Sequence, residues 1–337
     1  MNISIFIPVY NGERYLAETL ESLLAQSHTD FTVLCVDDSS TDGSLGILES
    51  YAARDSRIHV FRKANGGDVP HAWHFVTPLL EGDFTLYMSQ DDLLKPDTLE
   101  KLAGRQQETG ADCVIPSLTW YYDNVENGIM TNEPAAAPGR SSFITQRSTL
   151  PTLSGTEALD LMMDYTIPGF ALWRTSIVKA NPVPLAAYNS DEYAQRLWCS
   201  KCRTVAFSDA EFLYRQDNPD AITKKFTDKQ LESSLTDAML LQLAEKAGSG
   251  EECLTACANK GYETLWFHTM WFTLHRRQFG RQRRRQMRRL FSQAYRPMHR
   301  RVTLSHWKYR WSSRNLLFFW TIIYLKAFRA KLIHDAD

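Results

Sequence analysis

No stretch of the chain approaches the ~18 consecutive apolar residues that an ordinary membrane-spanning helix needs. The longest apolar run lies within 315–325, from Leu316 to Leu325, and is broken only by Thr321. As a helix this run would rise about 15 Å, short of a hydrocarbon core of about 30 Å. The first residues carry no basic-then-apolar leader, and Asn2 to Val9 looks like a short strand, so an intracellular chain is expected. Cysteine is sparse: six residues, at 35, 113, 199, 202, 253 and 257, fit scattered reduced thiols. The pairs Cys199/Cys202 and Cys253/Cys257 are too far apart, and too poor in turn glycines, for a zinc site. The nine histidines show no metal-ligand spacing, and there is no internal repeat. Acidic residues are missing altogether from 265–334, where 17 of the 38 Lys and Arg fall. That leaves 21 basic against 37 acidic residues in 1–264, so the net charge of −1 hides two oppositely charged regions. Segregation on this scale points to an anionic partner for the C-terminal region.

What is present is ordinary for a globular chain: 44% hydrophobic and 23% charged residues. Strand and helix signals alternate over the first 115 residues. Short β-rich runs at Ile3–Ile7, Phe31–Val36, Arg57–Phe61, Phe84–Met88 and Ala111–Ile115 are separated by helical spacing at 13–25, 44–53, 71–80 and 96–108. The pattern predicts an α/β fold with a mainly parallel, Rossmann-like sheet covered by helices, and ligands beyond the carboxyl ends of the strands. Residues 116–168 read as irregular, 169–178 as strand and turn, 193–198 as helix, and 204–207 and 211–214 as two short strands. Beyond 228 the chain reads as helical, basic and aromatic from 266. The expected division is an α/β part in two halves, 1–115 and 116–227, followed by a helical C-terminal region at 228–337.

Three polar clusters sit where such a sheet would bind ligands. Asp38, just past the second strand, can accept a hydrogen bond from a base N–H or a ribose hydroxyl, whereas Asp42 and Ser44 also fit helix capping. Asp91 and Asp92 follow the fourth strand; adjacent carboxylates repel unless a cation or hydrogen-bond donors compensate. One or two carboxylates with substrate phosphates suit Mg²⁺ or Mn²⁺, while an exposed acidic loop before Pro96 is the alternative. Asp191 and Glu192, with Arg196 behind them, offer a base for a hydroxyl proton, or two acids in a helix's first turn.

Ile7-Pro8-Val9-Tyr10-Asn11-Gly12-Glu13, then Val36-Asp37-Asp38-Ser39-Ser40-Thr41-Asp42-Gly43-Ser44, Asn65-Gly66-Gly67 and Asp91-Asp92 occur in this order. Together they resemble the catalytic domain of glycosyltransferase family 2, which has the GT-A fold. The resemblance covers 1–115 well and 165–220 more loosely. It implies that Pro8, Tyr10, Glu13 and Asn65 line the nucleotide-sugar pocket and that Asp38 holds the base or ribose. It makes Asp92 the direct metal ligand, with Asp91 toward the ribose or metal waters, and Asp191 the catalytic base with Glu192 as the alternative. Ser89-Gln90 stands where many members have an earlier Asp, Ala72-Trp73-His74 where an Arg-Asn pair is common, and Asp217 replaces the His of the Tyr-Arg-x-His element. Lys224 and Lys225 are a further source of positive charge for the diphosphate.

The activity the resemblance implies is inverting transfer of a hexose or N-acetylhexosamine from a UDP-sugar, with Mn²⁺ or Mg²⁺, to a saccharide or lipid-linked saccharide in surface polysaccharide synthesis. A catalytically silent sugar-nucleotide-binding scaffold is the second reading. A nucleotidyltransferase is disfavoured, because no Gly-rich activating loop with a basic residue follows the first strand. For 266–334, arginine interleaved with aromatic residues suggests an anionic membrane surface, peripheral on the inner face, rather than nucleic acid. Packing of this region on the acidic part of the chain is the competing expectation.

Overall fold

The computed structural model describes residues 1–67, 69–122, 151–185, 188–219, 221 and 227–301. Lys224, Lys225 and the apolar run at 315–325 lie outside the described residues. The chain divides into two compact units, Met1–Leu185 with Ala194–Lys225, and Ala186–Tyr193 with Phe226–Asp337.

The first unit is built on strands β1 (Ile3–Val9), β2 (Phe31–Asp37), β3 (Ile58–Arg62), β4 (Phe84–Tyr87), β5 (Leu93–Leu94), β6 (Cys113–Tyr121), β7 (Leu172–Arg174) and β8 (Val205–Arg215). They form one sheet in the order β3-β2-β1-β4-β7-β6-β8-β5. Helices α1 (Leu16–Leu24), α2 (Ser44–Arg54), α3 (Val69–Val76), α4 (Thr98–Thr109), α5 (Gly155–Met163) and α6 (Thr175–Ala180) alternate with them, and α7 (Ser190–Cys199) crosses the division between the units. β1 is buried on both faces, which is why it reads as a continuous apolar run and not as an alternating one.

The sheet is mixed, more so than the strand-helix alternation predicts. β3, β2, β1 and β4 are parallel, and β6 is parallel to β8, but β7 runs antiparallel between β4 and β6, and β5 antiparallel on β8. These pairings make β4, β6 and β8 point the same way, so Arg215 ends β8 on the same edge at which β1, β2 and β4 end. Pro8 lies inside β1, opposite Val36. Even-numbered residues of β1 face β4, as the Met88 N–H to Phe6 O bond of 3.2 Å shows. Pro8 therefore turns its missing donor to the side where β4 has already ended.

Two other segments differ from expectation. The supposedly irregular 116–168 contains the end of β6 and the helix α5, started by a reciprocal capping box between Ser154 and Glu157. The two short strands expected in 204–214 are one strand, β8, with an irregular register against β6 between Ile115 and Ser117. Trp73, at the position in question within Ala72-Trp73-His74, is core. It packs against Phe6 (4.6 Å) and Trp198 (5.1 Å), and Trp198 against Trp173 (5.8 Å). His74 Nε2 lies 2.5 Å from Val183 O. That stretch holds α3 on the sheet and offers no arginine to a phosphate.

The second unit packs α8 (Ser233–Ala247), α9 (Glu251–His275) and α10 (Arg281–His299), with a 3₁₀ turn at Asp228–Glu232. Leu241, Leu254, Leu265, Phe272, Met287 and Phe291 are among its buried side chains. Gly261 lets α9 approach α10, since a Cβ there would meet Met298 Cε at 2.7 Å. Arg283 bridges Asp228 (3.0 Å) and Glu232 (2.6 Å), and Arg301 bridges Glu245 (2.6 Å) and Glu251 (2.9 Å). Part of the basic region is thus paired within its own unit. No described helix is long and apolar enough to cross a membrane.

Candidate active site

Two loops meet at the ends of β1 and β2 and hold each other through main-chain donors. The Asn11 N–H donates to Ser40 Oγ (3.1 Å), Gly12 N–H to Ser44 Oγ (2.8 Å), and Thr41 N–H to Asn11 Oδ1 (2.8 Å). Asn11 and Ser39 both take left-handed backbone angles, φ 49° and 60°, which fits a short polar side chain at each bend. Glu13 belongs to this latch: its Oε2 accepts the Gly43 N–H at 2.6 Å, at the start of α2. Asp42 is a cap, as its spacing suggests, accepting from Ser44 N–H (3.0 Å) and Oγ (2.6 Å) and from Glu13 N–H (3.1 Å). One Glu13 oxygen is therefore committed to the scaffold of the predicted pocket. Tyr10 stands at the tip, 48% exposed.

Asp38 is buried at the end of β2, anchored by its own N–H on Val9 O (2.8 Å). Its Oδ1 takes the Lys63 ammonium and the Gly66 N–H (2.9 Å). Asn65 closes the adjoining turn by accepting the Gly67 N–H at 2.7 Å, with Gly67 at φ 78°. A Cβ on Gly66 would meet His71 Cβ at 2.5 Å, so only glycine lets this loop lie across Asp38. Asp38, Asn65 and Lys63 thus form one polar group at the strand end.

Gln90 explains the shortened acidic motif. Its Oε1 accepts Tyr10 N–H (2.8 Å) and its Nε2 donates to Tyr10 O (3.0 Å), clamping the β1 loop to the end of β4. Gly12 makes room, since a Cβ there would strike the Gln90 side chain at 2.4 Å.

The paired aspartates are not equivalent. Asp92 is fully buried; its Oδ1 accepts Arg215 N–H (3.1 Å) and its Oδ2 accepts Ser89 N–H (3.3 Å). Burial, then the neighbouring charge of Asp91, pushes its pKa up to about 8. Asp91 is only partly buried; its Oδ2 accepts from Asn218 Nδ2 at 2.6 Å. Asp92 is turned inward onto main-chain donors, and Asp91 is the more exposed carboxylate of the pair. β5, immediately after the pair, fixes both by pairing with β8.

Arg215 joins these parts. Its side chain is wholly buried, with Nε donating to Asp91 O (2.9 Å), one Nη paired with Glu18 Oε2 and the other 3.6 Å from Asp217 Oδ1. The guanidinium lies over Tyr15 (4.4 Å) and Tyr121 (4.6 Å). The arginine of the Tyr-Arg-x-His element thus has a supporting position, bonded to the Asp91 main chain. Glu18, Tyr15, Tyr121, Lys63 and Asn218 are site neighbours the sequence does not announce, because they are scattered over the start of α1, the loop after β3, the end of β6 and the segment after β8. Asp191 and Glu192 lie partly buried in the first turn of α7, in the segment grouped with the helical unit.

Among the described residues no group of three or more His, Cys, Asp or Glu could hold a metal alone. One accessible carboxylate beside a strand end fits a hard cation that takes its remaining ligands from diphosphate and water.

A mixed sheet with an acidic pair and a polar β2 end on one edge is the layout of a GT-A nucleotide-sugar fold. In agreement, the family model "Glycosyl transferase family 2" matches residues 4–180. The chain belongs to glycosyltransferase family 2. Glycosyltransferase GlyG of Streptococcus pneumoniae is 32% identical over 125 residues, 37% of this chain and 40% of that protein. The poly(ribitol-phosphate) beta-N-acetylglucosaminyltransferase TarS of Staphylococcus aureus is 24% identical over 220 residues, 64% of this chain and 35% of that one. The chain thus matches two-fifths or less of the length of these curated relatives. Among solved structures, TarS residues 1–349 with UDP-GlcNAc superimposes with TM-score 0.62 at 19% identity, covering 87% of this chain and 81% of that one. At that identity the likeness speaks for the fold.

Proposed function

We propose that the chain is an inverting glycosyltransferase that moves a hexose or N-acetylhexosamine from a UDP-sugar to a saccharide or lipid-linked saccharide acceptor in glycan synthesis. The observation that carries this reading is Asp91, accessible at the end of β4, backed by buried Arg215 and set on the same strand edge as Asp38. In this reading Asp38, Asn65 and the Pro8–Glu13 loop receive the nucleotide. Asp91 holds Mn²⁺ or Mg²⁺ together with the diphosphate, and Asp92 orders the turn from inside. The cation would offset the charge that develops on the leaving diphosphate. Asp191, with Glu192 as the alternative, takes the acceptor hydroxyl proton as that oxygen bonds to the anomeric carbon and the bond to the diphosphate breaks. Support for the donor and metal comes from proteins of like fold: TarS has been solved with UDP-GlcNAc, and a Pyrobaculum calidifontis mannosyltransferase with GDP-Man and Mn²⁺. A cytoplasmic enzyme attached to the inner membrane face through 266–334 completes the reading, supported by the 17 basic residues there.

The test is a panel of UDP- and GDP-sugars assayed for nucleotide release with Mn²⁺, with and without saccharide acceptors. Acceptor-dependent UDP release is expected, and Asp191→Asn should lower it by ~10²–10⁴. Nucleotide binding without turnover for any acceptor would favour a silent sugar-nucleotide-binding scaffold, the reading motivated by Asp217 and the Asp-Glu order at 191–192.

A further inference from the structure

The charge of the C-terminal region has a definite address on α10. Met287, Leu290, Phe291, Ala294 and Met298 are buried and fix the inner face of that helix. Arg281, Arg285, Arg289 and Arg296, with Arg300 just past the last turn, are all exposed and recur at helical intervals on the opposite side. The row is about 28 Å long at 1.5 Å per residue. None of these five has a carboxylate partner among the described residues, whereas Arg283 and Arg301, a part-turn away, are taken by Asp228, Glu232, Glu245 and Glu251. The internal pairing of Arg283 and Arg301 thus leaves an outward stripe of one sign on α10.

A second observation separates the kinds of anionic partner. Leu274 and Phe267, seven residues apart on one face of α9, are 73% and 46% exposed. Exposed Arg276 and Arg277 follow directly in the turn to α10. A soluble phosphate polymer provides nothing to cover a leucine and a phenylalanine, while a bilayer offers phosphodiester headgroups above an apolar phase. Guanidinium groups match phosphate oxygens in geometry as well as charge.

We propose that the arginine face of α10, with Leu274 and Phe267 on the C-terminal part of α9, is the surface that docks on an anionic lipid bilayer. This deepens the membrane reading of 266–334 and rests on it, but assigns the contact to the folded helix and not to the apolar run at 315–325. The helix lies along the headgroups, since its outward face is polar throughout.

The test uses the full chain in co-sedimentation with phosphatidylcholine vesicles, with or without phosphatidylglycerol. One variant is Arg281→Gln/Arg285→Gln/Arg289→Gln and the other Leu316→Ser/Phe319→Ser/Ile323→Ser; thermal unfolding serves as the folding control. Binding should require phosphatidylglycerol, weaken with salt, and fall on the order of 100-fold in the arginine variant. Leu274→Ser should weaken it further without changing the salt dependence. An arginine variant that binds like the parent while the apolar-run variant detaches would overturn the assignment to α10 and leave membrane attachment standing. A parent chain that binds no vesicle would overturn both. Retention by soluble polyphosphate through the same arginines, without vesicle binding, would overturn the bilayer in favour of a polyanionic polymer. UDP release with a soluble acceptor is independent of every one of these outcomes.

Discussion

The parallel half of the sheet and the mixed half bring their residues to the same edge by different means. At β1 and β2 the chain ends in two loops that share short main-chain hydrogen bonds, Asn11 with Ser40 and Thr41, Gly12 with Ser44, and Glu13 with Gly43. At β8 it ends in one buried guanidinium whose partners are far away in sequence, Glu18 at a separation of 197 and the Asp91 carbonyl at 124. The first arrangement spreads the load over several bonds, all but that of Glu13 neutral and worth about 1 kcal/mol net each. The second concentrates it on a desolvated charge, whose loss leaves carboxylates uncompensated.

Removing the charge should therefore give the largest effect. Arg215→Met is expected to cost about 4 kcal/mol and, for a unit of this size, to lower the Tm by roughly 10 °C. Scanning calorimetry on the full chain measures this, and a shift below about 2 °C would show that the mixed half is no more concentrated than the parallel one. The helical unit supplies a buried group of the opposite kind, kept neutral. Burial pushes the His268 pKa down from 6.5 to about 4, and its Nδ1 lies 2.8 Å from Ser234 Oγ. The unfolded chain takes the proton first as the pH falls. Stability is thus complete above about pH 6.5 and declines towards pH 4, by up to about 3 kcal/mol. Denaturant midpoints of the parent and of His268→Gln should diverge in that window; parallel pH curves would remove His268 from the account. The smallest effect belongs to the distributed side. Gln90→Ala gives up both bonds to the Tyr10 main chain and is expected to cost about 1 kcal/mol. It should raise the donor KM several-fold with kcat nearly unchanged, as loss of a positioning contact does. A fall in kcat at constant KM would tie Gln90 to the chemical step instead.

The same contrast explains what could be read from the sequence. β1, β2 and β4 are compact apolar runs that stop at polar clusters, so local periodicity locates both the strands and the residues at their ends. Asp42 advertises by spacing alone that its carboxylate receives an N–H at the start of α2, whereas the bond of Ser44 to Gly12 is not local. Ser154 and Glu157 advertise α5 in the same way, and the signal is easily lost in a polar, proline-containing stretch. The inequality of Asp91 and Asp92 is not local: it follows from β5 pairing with β8 and from the Arg215 N–H, which no spacing within 89–96 encodes. Gln90 reads as a weakened acidic motif until its partner, the peptide of Tyr10, is seen beside it. The exposed arginine row of α10 is visible as charge in the sequence. Its separation from the paired Arg283 and Arg301 requires the packing of α8, α9 and α10.

The central claim, a cation-dependent nucleotide site built on Asp91, is tested most directly by calorimetric titration of UDP into the full chain. The titration is run with Mn²⁺ or EDTA, for the parent and for Asp91→Asn. Mn²⁺ should tighten UDP binding in the parent by about tenfold or more, a typical coupling between two ligands of one site. Asp91→Asn should abolish most of that gain while leaving the weaker cation-free binding at Asp38 in place. Equal UDP affinity in Mn²⁺ and EDTA, unchanged by Asp91→Asn, would contradict it.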